Sequence, residues 1–190
     1  MKKRSLMPAD YHKPFGRSFW VIPGKLLAGC YPGSRDHAEA SEKLQGLLNC
    51  GIRFVVSLME ESERDHNGHR FTPYEDRLKR MGNDMAVEVE LLRFPIKDND
   101  VPSRKEMIEI LNSIDRAMSR GLPVYVHCWG GHGRTGSVVG CYLARHGIAT
   151  GQKAVEEIVR LARKCKETTV EHVGPQTNAQ RLMVRSWKES

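Results

Sequence analysis

The run His127-Cys128-Trp129-Gly130-Gly131-His132-Gly133-Arg134-Thr135-Gly136 constrains this chain more than any other stretch. It follows a short apolar segment, Pro123 to Val126, and opens an apolar-periodic one through Val138, Val139, Tyr142 and Leu143. A short apolar run, a glycine-rich turn and a helical period in succession predict strand, loop and helix start. Such a loop gathers backbone N–H groups and the positive end of a helix dipole around one small anion. Gly130, Gly131, Gly133 and Gly136 allow positive φ and close backbone approach there.

The side chains in the cradle say what happens to the anion. Cys128 falls at the strand end, facing the N–H groups of its own loop. Cysteines so placed ionise more readily than free ones, and a thiolate attacks without a separate base. Arg134 offers a planar fork that matches two phosphate oxygens, where lysine would give a point charge. Thr135 stands where its hydroxyl can reach the cysteine sulfur, and His127 and His132 flank the nucleophile. A buried structural cysteine would leave Arg134 unexplained. A nucleotide-binding loop would need a lysine, which Gly131 to Ser137 lacks. His127, Cys128 and His132 lie too close together for a structural zinc site without a second cluster.

The pattern His-Cys, five residues, Arg, then Ser or Thr resembles the signature of the cysteine-based protein tyrosine phosphatase superfamily, and every fixed position is met. The resemblance implies Cys128 as nucleophile, Arg134 as phosphate clamp and Thr135 as hydroxyl partner of the sulfur. It makes Trp129, Gly130, Gly131, His132 and Gly133 the substrate-binding remainder of the loop. It also calls for a general acid opposite the thiolate. Phe94 to Ser103 resembles the family's acid loop, in which an aspartate precedes a proline by four positions; Asp98 and Pro102 have that spacing, with Asp100 in reserve. Ile96 and Lys97 stand where the tyrosine-specific branch has tryptophan and proline, which points to the dual-specificity branch. Gln176 and Gln180 resemble the family's paired glutamines, which place the water that hydrolyses a cysteinyl-phosphate. No metal or other cofactor is implied.

The implied substrate is a phosphorylated protein or small phosphomonoester: phosphotyrosine first, phosphoserine and phosphothreonine next. The alternatives are a phosphoinositide, an inositol phosphate or an RNA 5′-phosphate, and a phosphate-binding module without turnover. Phosphoinositide members often carry loop lysines, where Trp129 and His132 stand here; RNA members often lack the aspartate; binding modules usually lose the cysteine, arginine or acid.

The 190 residues are enough for one core, and the net charge of +7 suits anionic substrates. Lysines and arginines are dispersed, so nucleic acid is not the expected main partner. Five cysteines in no pairing pattern fit a reducing cytoplasm. Met1-Lys2-Lys3-Arg4 is basic but no apolar segment follows, which argues against a signal peptide, and no stretch is apolar enough to span a membrane. Oligomeric state is not legible.

Residues 1–16 read as an N-terminal arm and 17–190 as the catalytic domain. Phe19 to Cys30 reads as two strands about Pro23-Gly24. Asp36 with Glu39, and Ser103 with Glu106, read as capping boxes opening helices. Ala40, Leu44, Leu47 and Leu48, and then Met107, Leu111, Ile114 and Met118, are the expected core faces. Ile52 to Leu58 and Val87 to Leu92 read as strands, Tyr74 to Met81 as a helix, and Glu60 to Thr72 as a solvated charged loop. Helices are expected over 134–146 and 151–165, with the last starting at Pro175. Alternating strands and helices predict an α/β three-layer sandwich with a central, mostly parallel mixed sheet flanked by helices.

Overall fold

The computed structural model describes residues 12–163, 165 and 173–189. Its strands are β1 (Ser18–Ile22), β2 (Leu26–Gly29), β3 (Phe54–Ser57), β4 (Glu90–Arg93) and β5 (Val124–His127). They form one sheet in the order β1-β2-β5-β3-β4. Only β1 and β2 pair antiparallel; β2–β5, β5–β3 and β3–β4 are parallel. β5 is therefore central, and its C-terminal end opens at a point flanked by strands on both sides.

Among the described residues six helices cover the sheet: α1 (His37–Asn49), α2 (Glu75–Asp84), α3 (Arg104–Ser119), α4 (Gly133–Arg145), α5 (Gln152–Ala162) and α6 (Asn178–Ser186). Side chains alternate across the pleat. Val124 and Val126 of β5 join Leu26, Ala28, Phe54 and Val56 in the core under α3 to α6. Tyr125 joins Leu27 and Val55 in the core under α1 and α2. A one-residue slip would exchange those two sets, so the register is strongly held. The result is the expected three-layer sandwich.

α4 is buried along nearly its whole length, from Gly133 to Leu143. Gly140 makes this possible: a Cβ there would come within 2.6 Å of Val184 on α6 and 2.7 Å of Ile158 on α5. The core faces of α1 and α3 are as expected, except that Met118 is half-buried. Ser103 and Glu106 form the expected reciprocal box. Asp36 caps α1 through the N–H groups of Ala38 and Glu39, but the Glu39 carboxylate turns away to Ser34 and Lys43. The reciprocal half of that box is therefore missing.

α6 starts at Asn178 rather than Pro175, because Thr177 and Gln180 form a capping box that sets its first turn. Residues 1–11 of the expected arm lie outside the described residues. Residues 12–16 lead into β1 and pack on the body, with Phe15 edge-on to Tyr125 at 6.0 Å. Among the described residues no helix is long and apolar enough to cross a membrane.

Candidate active site

Cys128 follows directly on β5 and is buried. The chain then turns back over the end of β2. Gly131 has φ +78°, and a Cβ on it would lie 2.5 Å from the Gly29 carbonyl carbon and 2.6 Å from the Cys30 nitrogen. Among the four loop glycines only Gly131 has positive φ. Gly133 and Gly136 serve close approach instead. A Cβ on Gly133 would meet the amides of Gln180 and Gln176 at 2.8–2.9 Å, and one on Gly136 would meet Pro175 at 3.0 Å. The glycines thus let two distant segments close on the loop. His132 is the N-cap residue of α4 and makes no side-chain cap, which leaves first-turn N–H groups open to an anion.

His127 is wholly buried, stacked on Tyr125 at 5.6 Å. Burial drives its pKa down from 6.5 to about 3, so the imidazole is neutral and adds no positive charge to the loop. Burial also raises the Tyr74 pKa and keeps its hydroxyl protonated. The network assigns the tautomer: Tyr74 Oη donates to Nε2 at 2.6 Å, and Nδ1–H donates to the Cys128 carbonyl at 3.2 Å. The histidine therefore braces the Cys128 backbone. In the unfolded chain it takes a proton near pH 6.5. Its neutral burial costs nothing above that pH and destabilises progressively below it, by up to about 1.4 kcal/mol per pH unit down to about pH 3. Urea unfolding at about pH 7.5 and about pH 5 should show a steeper loss for wild type than for His127→Gln. Equal losses would remove His127 as the cause.

Arg134 is the largest fully buried side chain. Its guanidinium is gripped by Glu63 in a fork-to-fork pair, Nη1 to Oε2 at 2.6 Å and Nη2 to Oε1 at 2.8 Å. Nη1 also donates to the Ile96 carbonyl at 3.0 Å, and Nη2 lies 3.0 Å from Asp98 Oδ1. These carboxylates, Glu63 above all, offset the burial of the guanidinium and hold it charged. The side chains of Arg134 and Glu63 are 1% and 6% exposed, while Asp98 is 47% exposed. Sequence reasoning missed Glu63 and put it in a solvated loop. No local signal distinguishes it from its neighbours Glu60 and Glu61; only the fold brings it 71 positions along the chain to Arg134.

Asp98, chosen by its spacing from Pro102, reaches the loop. Asp100 points elsewhere, its carboxylate accepting the Val101 N–H. The Asp100 carbonyl accepts from Gln180 Nε2 at 3.1 Å, while Gln180 Oε1 accepts from the N–H groups of Gln176 and Thr177. Gln180 is fully buried and ties α6 to the loop that carries Asp98 and Asp100. Gln176 lies before the helix instead of in its first turn, yet its side chain joins Gln180 over Gly133. Thr135 is buried, but its hydroxyl has no partner among the described residues. The expected bond to the Cys128 sulfur is therefore not made in this structure. Arg134 Nε is likewise buried without a partner. Trp129 is half-buried against His66 and Phe71, with ring centroids 4.3 and 5.4 Å away.

A family model described as a Swiss Army Knife protein, DSP-PTPase phosphatase domain, matches residues 16–181. The chain belongs to this family. Among its relatives, the dual specificity protein phosphatase CDC14B of Mus musculus is 30% identical over 164 residues, which cover 83% of this chain and 29% of that protein. The phosphatidylinositol 3,4,5-trisphosphate 3-phosphatase cnrN of Dictyostelium discoideum is 40% identical over 151 residues, or 75% of this chain and 21% of that protein. The chain thus spans less than a third of either relative. The crystal structure of PTPMT1 in complex with PI(5)P shares the fold, with a TM-score of 0.65 at 20% identity over 89% of this chain and 93% of that one. Within the phosphatase family this chain has its cysteine loop, its arginine and an aspartate loop in one place.

Proposed function

We propose that this chain hydrolyses phosphate monoesters through a phosphocysteine intermediate, acting first on phosphotyrosine and then on phosphoserine or phosphothreonine in proteins. One observation carries the reading: two polar atoms of the loop, Arg134 Nε and Thr135 Oγ1, are buried without a partner among the described residues. Leaving such groups unpaired costs about 1–3 kcal/mol each. An anion in the loop, or the thiolate itself, supplies what they lack.

In this reading Cys128 Sγ attacks phosphorus while Asp98 gives its proton to the departing oxygen. Arg134 and the first-turn amides of α4 neutralise charge gathering on the equatorial oxygens, a mostly electrostatic and positional contribution. A water then attacks the phosphocysteine, Asp98 takes its proton, and orthophosphate leaves. Gln176 places that water; Gln180 holds the acid loop in position through Asp100. No step asks for a metal. The five cysteines, none joined in a disulfide among the described residues, suit a reducing, cytoplasmic setting. Residues 17–190 act as the catalytic domain.

The test is hydrolysis of para-nitrophenyl phosphate with chelator present. Asp98→Asn should lower kcat roughly 10²–10⁴-fold on a phosphate ester with a poor leaving group. The loss should shrink with para-nitrophenol, which departs without help. A loss of the same size for both esters would take the acid role from Asp98. A second reading, a phosphoinositide or inositol phosphate substrate, draws on the similarity to the trisphosphate 3-phosphatase cnrN and to PTPMT1 in complex with PI(5)P.

A further inference from the structure

A cleft of about 370 Å³ runs between Trp129, the residue after Cys128 in the chain, and the hairpin that follows β3. That hairpin closes through a bridge between Arg64 and Arg70. It performs two tasks at once. Its base supplies Glu63, which locks Arg134. Its tip supplies His66, packed on Trp129, and its closing bridge supplies Arg70, on the rim of the cleft. One short segment therefore touches both ends of the phosphate loop.

The cleft has two unlike walls. One is aromatic: Trp129, the residue next to Cys128, with Phe71 edge-on to it and Tyr31 edge-on to Phe71 at 5.0 Å. The other is basic, with Arg35 and Arg70. Arg35 is paired with Asp65 at 3.0 Å. The Asp65 carboxylate is further held by the N–H groups of Asn67 and His69. Arg70 is exposed, and its side chain pairs with no described residue. It is the uncompensated charge of this cleft.

We propose that this cleft selects phosphotyrosine flanked by acidic residues, with Trp129 and Phe71 against the tyrosyl ring and Arg70 on a neighbouring carboxylate. The inference rests on the phosphatase reading above and names its substrate. An aryl ring begins one oxygen away from phosphorus, within reach of the residue adjoining the nucleophile. Flat apolar walls suit such a ring. An inositol ring would press hydroxyls against the same walls and leave them unpaired, at a cost in affinity. A single exposed cation steers and sorts ligands more than it binds them, and its effect fades with salt.

The test compares two phosphotyrosine peptides, identical except that glutamates flank the phosphotyrosine in one and glutamines in the other. Both are offered to wild type and to Arg70→Gln, with para-nitrophenyl phosphate measured alongside. Wild type should favour the glutamate peptide in kcat/KM by roughly threefold to tenfold at low salt. The ratio should fall towards one in Arg70→Gln, and in wild type at about 0.5 M salt. Taking the ratio cancels any general loss of activity in the variant. Equal use of both peptides by wild type, an unchanged ratio in the variant, or faster release of phosphate from an inositol bisphosphate than from either peptide would overturn the proposal. Each of those leaves hydrolysis of para-nitrophenyl phosphate intact. Absence of that hydrolysis in wild type would instead overturn the phosphatase reading itself.

Discussion

Cys128→Ser should lose turnover on the order of 10⁵-fold or more while still binding phosphate. The loss follows from the chemistry of the atom. A serine hydroxyl is almost never ionised near neutral pH, and no general base stands ready to take its proton: His127 is committed to Tyr74 and to the Cys128 carbonyl. Binding should persist because the grip does not depend on sulfur. Glu63 still holds the Arg134 fork, and the first turn of α4 is unchanged. Single-turnover assays would check the first half, and calorimetry with inorganic phosphate the second. Near-normal turnover in the serine variant would end the covalent mechanism.

Glu63→Ala should destabilise the fold by about 3 kcal/mol, the lower end of the usual range for breaking a buried ion pair. The partner left behind, Arg134, is 1% exposed. Its remaining contacts, the Ile96 carbonyl and the half-exposed Asp98, hold one side of the guanidinium but not the fork. For a domain of this size the shift corresponds to a Tm lower by roughly 6–12 °C. The rate should fall as well, by about tenfold to a hundredfold, because a clamp displaced by a fraction of an ångström no longer matches the phosphate oxygens. Glu63→Gln keeps the shape and one accepting oxygen, so it should lie between the two. Thermal melts with para-nitrophenyl phosphate kinetics on all three proteins decide the point. A Glu63→Ala protein that melts within about 2 °C of wild type would show that Arg134 does not depend on this carboxylate.

Both predictions turn on the same loop, yet they were unequally visible. Cys128, Arg134 and Thr135 lie within eight consecutive positions, and covalent geometry alone keeps them together once β5 and α4 form. Asp98 was singled out by its spacing from Pro102, a local property of one turn, and the fold brings it within 3.0 Å of Arg134. The capping box at Ser103 and Glu106 closes over three residues and formed as expected. Glu39 failed to complete its box because Ser34 and Lys43, equally local, compete for the same carboxylate. The loop glycines were expected to allow positive φ and close approach; Gly131 does both, and Gly133 and Gly136 only the second. Gly133 and Gly136 are small because Gln176, Gln180 and Pro175 arrive over them, and nothing in the loop announces those visitors.

The order of residues along the chain determined the anion loop, the strand and helix on either side of it, the layers and the helix faces that fill the core. Those features depend on hydrogen bonds and apolar periods spanning only a few positions. Tertiary structure alone decided that Glu63 grips Arg134, that Gln180 fastens the Asp98–Asp100 loop to α6, and that Arg70 stands at the rim of an aromatic cleft. Each of these joins segments distant in sequence, and the partners meet only because β5 lies between β2 and β3 in the sheet. A buried charge must find its counter-charge wherever the fold brings one, and no local pattern specifies where that will be.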